Sequence, residues 1–252
     1  MATESNSPFR GQGGMKLALI GYGKMGKIIE EIALLRKHEI ILKIDINNLP
    51  DFNKENIAKA DAAIEFTGPH SAFDNVKKAI EFGVPVVCGS TGWLDKLDEI
   101  KKTVAENNGA FLYASNFSVG VNIFFELNKK LAVLMSAHHD YEAIIEETHH
   151  TQKKDAPSGT AITLAEQILA QNKKKKQWVN EVSENPEDFE IISQRIDPTP
   201  GTHSVKYSSA IDDIEIIHTA HSRKGFALGA VMAAEFIKGK KGFFSMKDVL
   251  GL

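Results

Sequence analysis

The first half of the chain alternates short apolar runs with longer stretches in which apolar residues recur at every third or fourth position. Short apolar runs bounded by glycine or polar turns indicate buried strands, and the longer period indicates amphipathic helices. We predict strands within residues 17–20, 39–45, 61–69, 84–93 and 110–117, with helices after the first, third and fourth of them. Strands that alternate with helices are typical of a parallel, doubly wound α/β sheet of the Rossmann type.

The pattern changes after residue 117. A long apolar helix is predicted over 119–135, a second over 159–171, and strands within 141–150, 188–196, 203–211 and 214–222. The later strands follow one another closely through short polar links such as Ile211-Asp212-Asp213. We therefore expect a second, α+β domain with a mixed or antiparallel sheet.

These patterns predict the domain organisation. Residues 1–14 are polar and glycine-rich, and we interpret them as a leader or tag that is disordered and outside the fold. Residues 15–117 are predicted to form a dinucleotide-binding domain and 118–225 a substrate-binding domain. The apolar helix in the C-terminal segment 226–252 is expected to pack back on the first domain.

Composition excludes several classes of protein. The net charge of −3 gives no sign of a nucleic-acid-binding or anionic-membrane-binding protein. No apolar run reaches the roughly 18–20 residues that span a bilayer. The chain has one cysteine, Cys88, so an intramolecular disulfide is impossible. Because it lies in the apolar run VPVVC, we expect it to be buried and inert. We predict a cytoplasmic protein.

The first strand runs into a glycine pattern. Gly21, Gly23 and Gly26 have GxGxxG spacing, and a helical apolar period follows them. In such a turn the first glycine allows the bend, the second lets the backbone approach a pyrophosphate, and the third lets helix and strand pack. The helix amides then bind the phosphates. This context predicts a nicotinamide dinucleotide site, the alternative being a structural glycine turn.

The second strand ends at Asp45, close to where an acid binds the adenosine ribose hydroxyls in this fold. Ile46, Asn47 and Asn48 follow it, and none of them is a cation that could pair with a 2′-phosphate. Lys43 is near but precedes the strand end. We therefore predict that NADH is preferred and that NADPH remains possible.

Small polar residues follow the other predicted strands of this half. They are Thr67, the run Gly89-Ser90-Thr91 and the run Ala114-Ser115-Asn116-Phe117. Ligands of doubly wound sheets lie beyond the carboxyl ends of the strands. These residues suit a nicotinamide ribose and carboxamide, although each could also be an ordinary turn residue.

The chemistry is concentrated in EETHHTQKKDAPSGTA, residues 146–161. Ser158 is a favourable N-cap, and a helix beginning there presents the amides of Gly159, Thr160 and Ala161 to an anion. The Thr160 hydroxyl adds a donor and Lys153 adds a positive charge. The stretch predicts a site for a small carboxylate-bearing molecule, the alternative being a solvated turn.

His149 and His150 close the strand before this loop. A histidine can serve as a proton donor or an electrostatic stabiliser near neutral pH. Adjacent strand residues point to opposite faces, so one of the two is expected to face the ligand and the other a supporting contact. A metal site is the alternative, but no third ligand with convincing spacing is visible, so we predict none.

The chain from Met15 onward resembles the dihydrodipicolinate reductase family of lysine and diaminopimelate biosynthesis. The resemblance is carried by the histidine–lysine stretch and by GYGKMG, EFTGP, CGSTGW, ASNFSVGVN, GTH, HTAHSR and GFFSMKDVLGL. It implies an oxidoreductase that removes water from a cyclic hydroxy-dicarboxylate and reduces a carbon–carbon double bond with NAD(P)H. It also implies a homotetramer assembled through the sheet of the second domain.

The resemblance also implies residue roles. His149 and Lys153 take the catalytic proton-transfer roles, and His150, Ser158, Gly159 and Thr160 bind the substrate. The cofactor positions are Gly21, Tyr22, Gly23, Lys24, Met25, Gly26, Asp45, Gly89, Ser90, Thr91, Ala114, Ser115, Asn116 and Phe117.

Two other functions remain open at this point. One is another two-domain dehydrogenase of amino-acid metabolism, similar to aspartate or homoserine dehydrogenase, which should lack the histidine–lysine stretch. The other is a non-catalytic NADH-sensing protein, which would keep the glycines without needing His149 and Lys153 beside a helix cap.

Overall fold

The computed structural model describes residues 14–252, and the predicted leader lies outside them except for Gly14. The chain divides into two compact units. The first comprises the described residues up to Val119 together with Lys224–Leu252, and the second is Gly120–Arg223.

The helices and strands follow one another in this order along the chain. They are β1 (Lys16–Ile20), α1 (Lys24–Leu35), β2 (Glu39–Ile44), α2 (Lys54–Ile57), β3 (Ala62–Glu65), α3 (Ala72–Glu81), β4 (Val86–Cys88), α4 (Leu97–Glu106), β5 (Ala110–Tyr113), α5 (Val119–Met135), β6 (Glu142–His149), α6 (Gly159–Leu169), β7 (Gln177–Val179), β8 (Asp188–Arg195), β9 (Gly201–Ser208), β10 (Asp213–Ala220), α7 (Lys224–Ile237), β11 (Gly242–Phe244) and α8 (Met246–Leu250).

The first unit is built on a six-stranded parallel sheet with the order β11-β5-β4-β3-β1-β2. Both faces of its inner strands β1, β3, β4 and β5 are buried, which explains why they appear in the sequence as continuous apolar runs rather than alternating ones. Cys88 is fully buried in this core. The predicted Rossmann-like fold class is confirmed.

Helix α7 covers one face of this sheet beside α1. A buried ion-pair group joins the two helices: Glu235 on α7 accepts hydrogen bonds from Arg36 at 2.9 and 2.6 Å and lies 2.7 Å from His38 Nε2. Burial opposes ionisation of Glu235, yet these two partners keep the pKa of its carboxyl below the ordinary value. The contact fixes the C-terminal helix to the end of α1.

The second unit is a mixed five-stranded sheet with the order β10-β9-β6-β8-β7. The central strand β6 is parallel to β8 and antiparallel to β9. Residues from α5 and α6 share one apolar core with the sheet, which includes Ile145, Ile191 and Val205. Alternate residues of β6 therefore face this core, and Ile145, Glu147 and His149 are buried while Glu146 is exposed.

Among the described residues, sequence periodicity found the long elements and missed short ones. Helix α5 has the predicted bounds, 119–135. Strands β7 and β11 have three residues each, and helices α2 and α8 have four and five. Elements this short complete barely one period, so their pattern cannot be distinguished from that of a loop.

Candidate active site

The glycine turn after β1 has the geometry that a dinucleotide requires. A Cβ on Gly21 would lie 2.3 Å from the Phe66 carbonyl oxygen, and one on Gly26 would lie 2.3 Å from the Gly21 carbonyl oxygen. Space is open around Gly23, and no side chain caps the first turn of α1. The helix N-terminus thus keeps its amide donors for a phosphate, and the turn fits the predicted cofactor.

Asp45 lies directly after β2 and is half-buried, and its carboxylate accepts the Asn47 amide at 2.7 Å. A cation is present nearby: Lys43 Nζ lies 4.9 Å from the centre of the Tyr22 ring. This ammonium pairs with Glu30 at 2.6 Å, and the Tyr22 hydroxyl hydrogen-bonds to the same carboxylate. The hydrogen bond from Lys43 lowers the pKa of Glu30, so Glu30 is ionised and the Lys43 charge is already paired with it.

The other predicted cofactor residues fall into two groups. Thr91 and Ser115 are exposed at the strand ends, Gly89 and Asn116 are half-buried, and Lys24 and Met25 begin α1. Ser90, Ala114 and Phe117 are buried. The Ser90 carbonyl accepts the Trp93 indole N–H at 2.7 Å, so at least that carbonyl is committed to the fold.

A substitution at Gly89 would be costly, because a Cβ there would lie 2.2 Å from the Phe66 ring. The predicted strand-end residue Thr67 donates its amide to Glu65 at 2.9 Å and its hydroxyl to the same carboxylate. Thr67 is thereby held in place by a buried acid on β3.

In the second unit, Glu147 is the centre of a buried polar cluster that sequence reasoning missed. Its carboxylate accepts the Ser158 amide at 3.0 and 3.2 Å and the Ser193 hydroxyl at 2.8 Å. The Arg195 guanidinium and the His203 imidazole each approach it to 3.5 Å. Burial opposes ionisation, but the contacts from His203, Ser158 and Ser193 hold the pKa of Glu147 well below its usual range.

His149 joins this cluster from the end of β6. Its Nδ1 is buried and lies 3.5 Å from Glu147 Oε2, and its ring is 5.0 Å from that of His203. Burial first, and then the neighbouring His203, lower the pKa of His149 from 6.5 to about 4, although Glu147 acts in the opposite direction. His149 is therefore a neutral imidazole near pH 7 in the protein without ligand.

His150 lies outside the cluster. It is half-buried, and its Nε2 is 3.4 Å from an Arg223 guanidinium nitrogen. The two adjacent histidines thus have different surroundings, as their positions on neighbouring strand residues predicted.

Lys153 is held in the loop that follows. Its ammonium pairs with Asp155 at 2.9 and 2.7 Å. Arg195 fixes this loop by donating to the Asp155 carbonyl at 2.6 Å and approaching the Lys153 carbonyl at 3.4 Å. The predicted positive charge of Lys153 is therefore paired with the exposed carboxylate of Asp155 in this structure.

Ser158 caps α6 as predicted, and its hydroxyl accepts the Ala161 amide at 3.2 Å. That bond corrects the predicted anion site, since the Ala161 amide is already used. Gly159 is exposed and Thr160 half-buried at the first two positions of the helix. A Cβ on Gly159 would meet nothing within 4 Å, so the space around this residue is open to a ligand.

The structure also corrects the argument against a metal. Glu147, His149 and His203 bring ligand-type atoms within 4.8 Å of one another, so a third group does exist, although His150 is not part of it. The Glu147 carboxylate already accepts an amide and a hydroxyl and faces a guanidinium. This donor set fits a hydrogen-bonded ionic cluster.

Two models of one protein family match the chain. The family model described as "Dihydrodipicolinate reductase, N-terminus" matches residues 15–117, and the model described as "Dihydrodipicolinate reductase, C-terminus" matches 120–250. The chain belongs to the dihydrodipicolinate reductase family. It contains the family's two parts in the expected order, and aspartate or homoserine dehydrogenase-like membership is set aside.

Individual relatives are similar to this chain over nearly its whole length. The 4-hydroxy-tetrahydrodipicolinate reductase of Christiangramia forsetii is 53% identical over 239 residues, which cover 94% of this chain and 98% of the relative. The enzyme of the same name from Methanosarcina acetivorans is 36% identical over 94% of this chain and 89% of the relative. Family membership thus extends over both units.

Solved structures show the same fold. The dipicolinate-bound dihydrodipicolinate reductase from Paenisporosarcina sp. TG-14 superposes with a TM-score of 0.73 at 22% identity, covering 93% of this chain and 98% of that one. An amine dehydrogenase from Mycobacterium smegmatis superposes with a TM-score of 0.59 at 9% identity, covering 94% of this chain and 96% of that one. Among the described residues, no helix is long and apolar enough to span a bilayer.

Proposed function

We propose that this chain is a 4-hydroxy-tetrahydrodipicolinate reductase. It removes water from its cyclic hydroxy-dicarboxylate substrate and reduces the resulting carbon–carbon double bond to give tetrahydrodipicolinate. The observation that carries this proposal is the 53% identity to a reductase of that name over nearly the full length of both chains. The cluster around Glu147 and His149, with Lys153 in the loop that follows, provides polar and charged groups that this reaction needs.

When bound, a reduced nicotinamide would supply a hydride to the substrate. The protein must then provide a proton and stabilise the negative charge that builds up on the ring. We assign the proton to the Lys153 ammonium, because His149 is neutral near pH 7 with its pKa lowered to about 4. A dianionic substrate would displace Asp155 from this ammonium and take over the ion pair.

The substrate carboxylates are assigned to the start of α6. Gly159 is the first residue of this helix, is exposed and has open space around it, so its backbone amide is the donor assigned to a carboxylate, and Thr160 follows it. Ser158 fixes the helix start, and His150 with its neighbour Arg223 adds donors at the loop. The solved structure of the Paenisporosarcina reductase is dipicolinate-bound, which supports a cyclic dicarboxylate as the ligand of this chain.

NADH is the proposed preferred cofactor, with NADPH accepted less well. Asp45 would repel a 2′-phosphate, and the nearby Lys43 is already paired with Glu30. Steady-state KM values for both cofactors test this assignment. Glu30→Gln would release the Lys43 charge and should improve the use of NADPH, whereas a tenfold preference of the unmodified protein for NADPH would refute it.

We further propose a cytoplasmic homotetramer assembled through the sheet of the second domain, residues 118–225, with 15–117 as the cofactor domain. The edge strand β10 supports this arrangement, because Ile217 is 58% and Ile214 is 39% exposed on it. Light scattering after size-exclusion chromatography should give a tetramer mass, and Ile217→Glu should reduce it. A monomeric unmodified protein would refute the assembly.

The test of the activity is the loss of NADH absorbance with the freshly made product of dihydrodipicolinate synthase. We expect turnover that depends on both NADH and the synthase product. Binding of NADH without turnover would instead favour the sensing function.

A further inference from the structure

The least expected group in a site for a dianion is a buried carboxylate. The Glu147 side chain has no exposed surface, and it lies among the residues assigned above to substrate binding and proton transfer. A negative charge there weakens substrate binding electrostatically, so its presence needs a compensating role. Its contacts identify that role.

The first set of contacts concerns the start of α6. Both Glu147 carboxylate oxygens accept the Ser158 amide, at 3.0 and 3.2 Å, and the Ser158 hydroxyl lies 3.0 Å from His203 Nε2. The residue that caps α6 is thereby anchored to the central strand of the sheet. The positions of Gly159 and Thr160, which follow it, depend on this anchor.

The second set concerns the His149 ring. Its Nδ1 is buried, has no hydrogen-bond partner among the described residues and lies 3.5 Å from Glu147 Oε2, while its Nε2 lies beside Gly201, where a Cβ would be 3.1 Å away. A neutral imidazole carries its proton on one nitrogen only. A lone pair on Nδ1 would face the carboxylate unfavourably, so the carboxylate favours a proton on Nδ1. At 3.5 Å the contact is looser than a well-formed hydrogen bond, as is common before a substrate binds.

We propose that Glu147 is a positioning residue of this reductase. Its carboxylate keeps the His149 proton on Nδ1 and so fixes the state of that ring, and it anchors the helix start to which the substrate carboxylate is assigned. The proposal rests on the proposed function for the identity of the substrate. The protonation of His149 can be measured without that substrate.

Two substitutions separate the two roles of Glu147. Glu147→Gln keeps the length and can still accept the Ser158 amide, but it replaces the charge and can turn an NH₂ group toward His149. Glu147→Asp keeps the charge but withdraws it by one methylene, which breaks the contact to Ser158. Glu142→Gln, at the exposed start of the same strand, makes the same charge change away from the cluster and is the matched control.

We expect the kinetic effects to divide accordingly. Glu147→Gln should lower kcat by about tenfold or more with little change in the substrate KM, by analogy with other sites in which a carboxylate orients a histidine. Glu147→Asp should raise the substrate KM by about tenfold, with kcat changed by less than about threefold. Glu142→Gln should match the unmodified protein in both constants.

Imidazole ¹⁵N chemical shifts provide a readout that a purely structural role would not change. His149 is assigned by loss of its signal in His149→Gln. In the unmodified protein near neutral pH its proton should be on Nδ1, and in Glu147→Gln it should move to Nε2. A proton on Nε2 in the unmodified protein overturns the inference, as does a Glu147→Gln variant with unchanged kcat.

The two proposals can fail separately. If the unmodified protein does not turn over the synthase product, the proposed function fails, and the ¹⁵N measurement still decides the state of His149. If the unmodified protein is active and Glu147→Gln fails to fold, the tautomer of the unmodified protein and the KM of Glu147→Asp decide the inference.

Discussion

The depressed pKa of His149 predicts a specific loss of stability in mild acid. The pKa falls from 6.5 to about 4 on folding, so between these values the unfolded chain binds a proton that the folded protein does not. Stability from this group is complete above the ordinary pKa and is lost as the pH falls toward the folded value. Lowering the pH from 7 to 5 should reduce the free energy of unfolding by about 2 kcal/mol through the protonation of His149 alone.

Urea unfolding at both pH values measures this effect as a difference between two proteins. The unmodified protein should lose about 2 kcal/mol more than His149→Gln when the pH falls, because glutamine does not titrate. His139→Gln, which changes an exposed histidine, is the control and should retain the full loss. An equal loss in the unmodified protein and in His149→Gln would refute the assignment of His149 as a neutral imidazole.

Three further predictions follow from single contacts. Lys153→Ala should lower kcat/KM by about a hundredfold or more, because it removes the proposed proton donor, while the NADH Kd from fluorescence titration stays unchanged; full activity would exclude this role. Ser158→Ala should lower the free energy of unfolding in urea by about 1 kcal/mol and raise the substrate KM, since the cap bond to Ala161 is lost; an unchanged KM would separate the cap from substrate binding. Glu235→Gln should lower the free energy of unfolding in the same assay by about 2 kcal/mol, because the buried Arg36 loses its charge partner. An unchanged free energy of unfolding would mean that this ion pair is not needed to hold α7.

The fold was largely predictable because its long elements have complete periods. Apolar strands buried on both faces and helices of ten or more residues each leave a distinct pattern, as α5 shows. The three-residue edge strands β7 and β11 form because a neighbouring strand is available to pair with, and that information is not local in the sequence.

The candidate site was only partly predictable. His149, Lys153 and Ser158 lie in one contiguous stretch, so their proximity follows from chain connectivity. His203 and Arg195 reach the cluster through strand pairing, in which Glu147 is opposite His203 and His149 is opposite Arg195. This register cannot be predicted from the spacing of the residues along the chain.

One signal could have identified Glu147. It lies between Ile145 and His149 at intervals of two, so a strand that buries the isoleucine also buries the acid. A carboxylate on a buried strand face requires partners, and those partners define the cluster. Asp155 gave no such signal, because an acid in a polar loop is ordinary until its contact with Lys153 is seen.

The most direct test of this account is a single-turnover reduction of the dihydrodipicolinate synthase product by NADH, with the unmodified protein and Lys153→Met compared at equal NADH occupancy. We predict stoichiometric NADH oxidation by the unmodified protein, and a rate at least about a hundredfold lower for the variant with the NADH Kd unchanged. Equal rates for the two proteins, or no oxidation by the unmodified one, would contradict the assignment of this cluster as a reductase site.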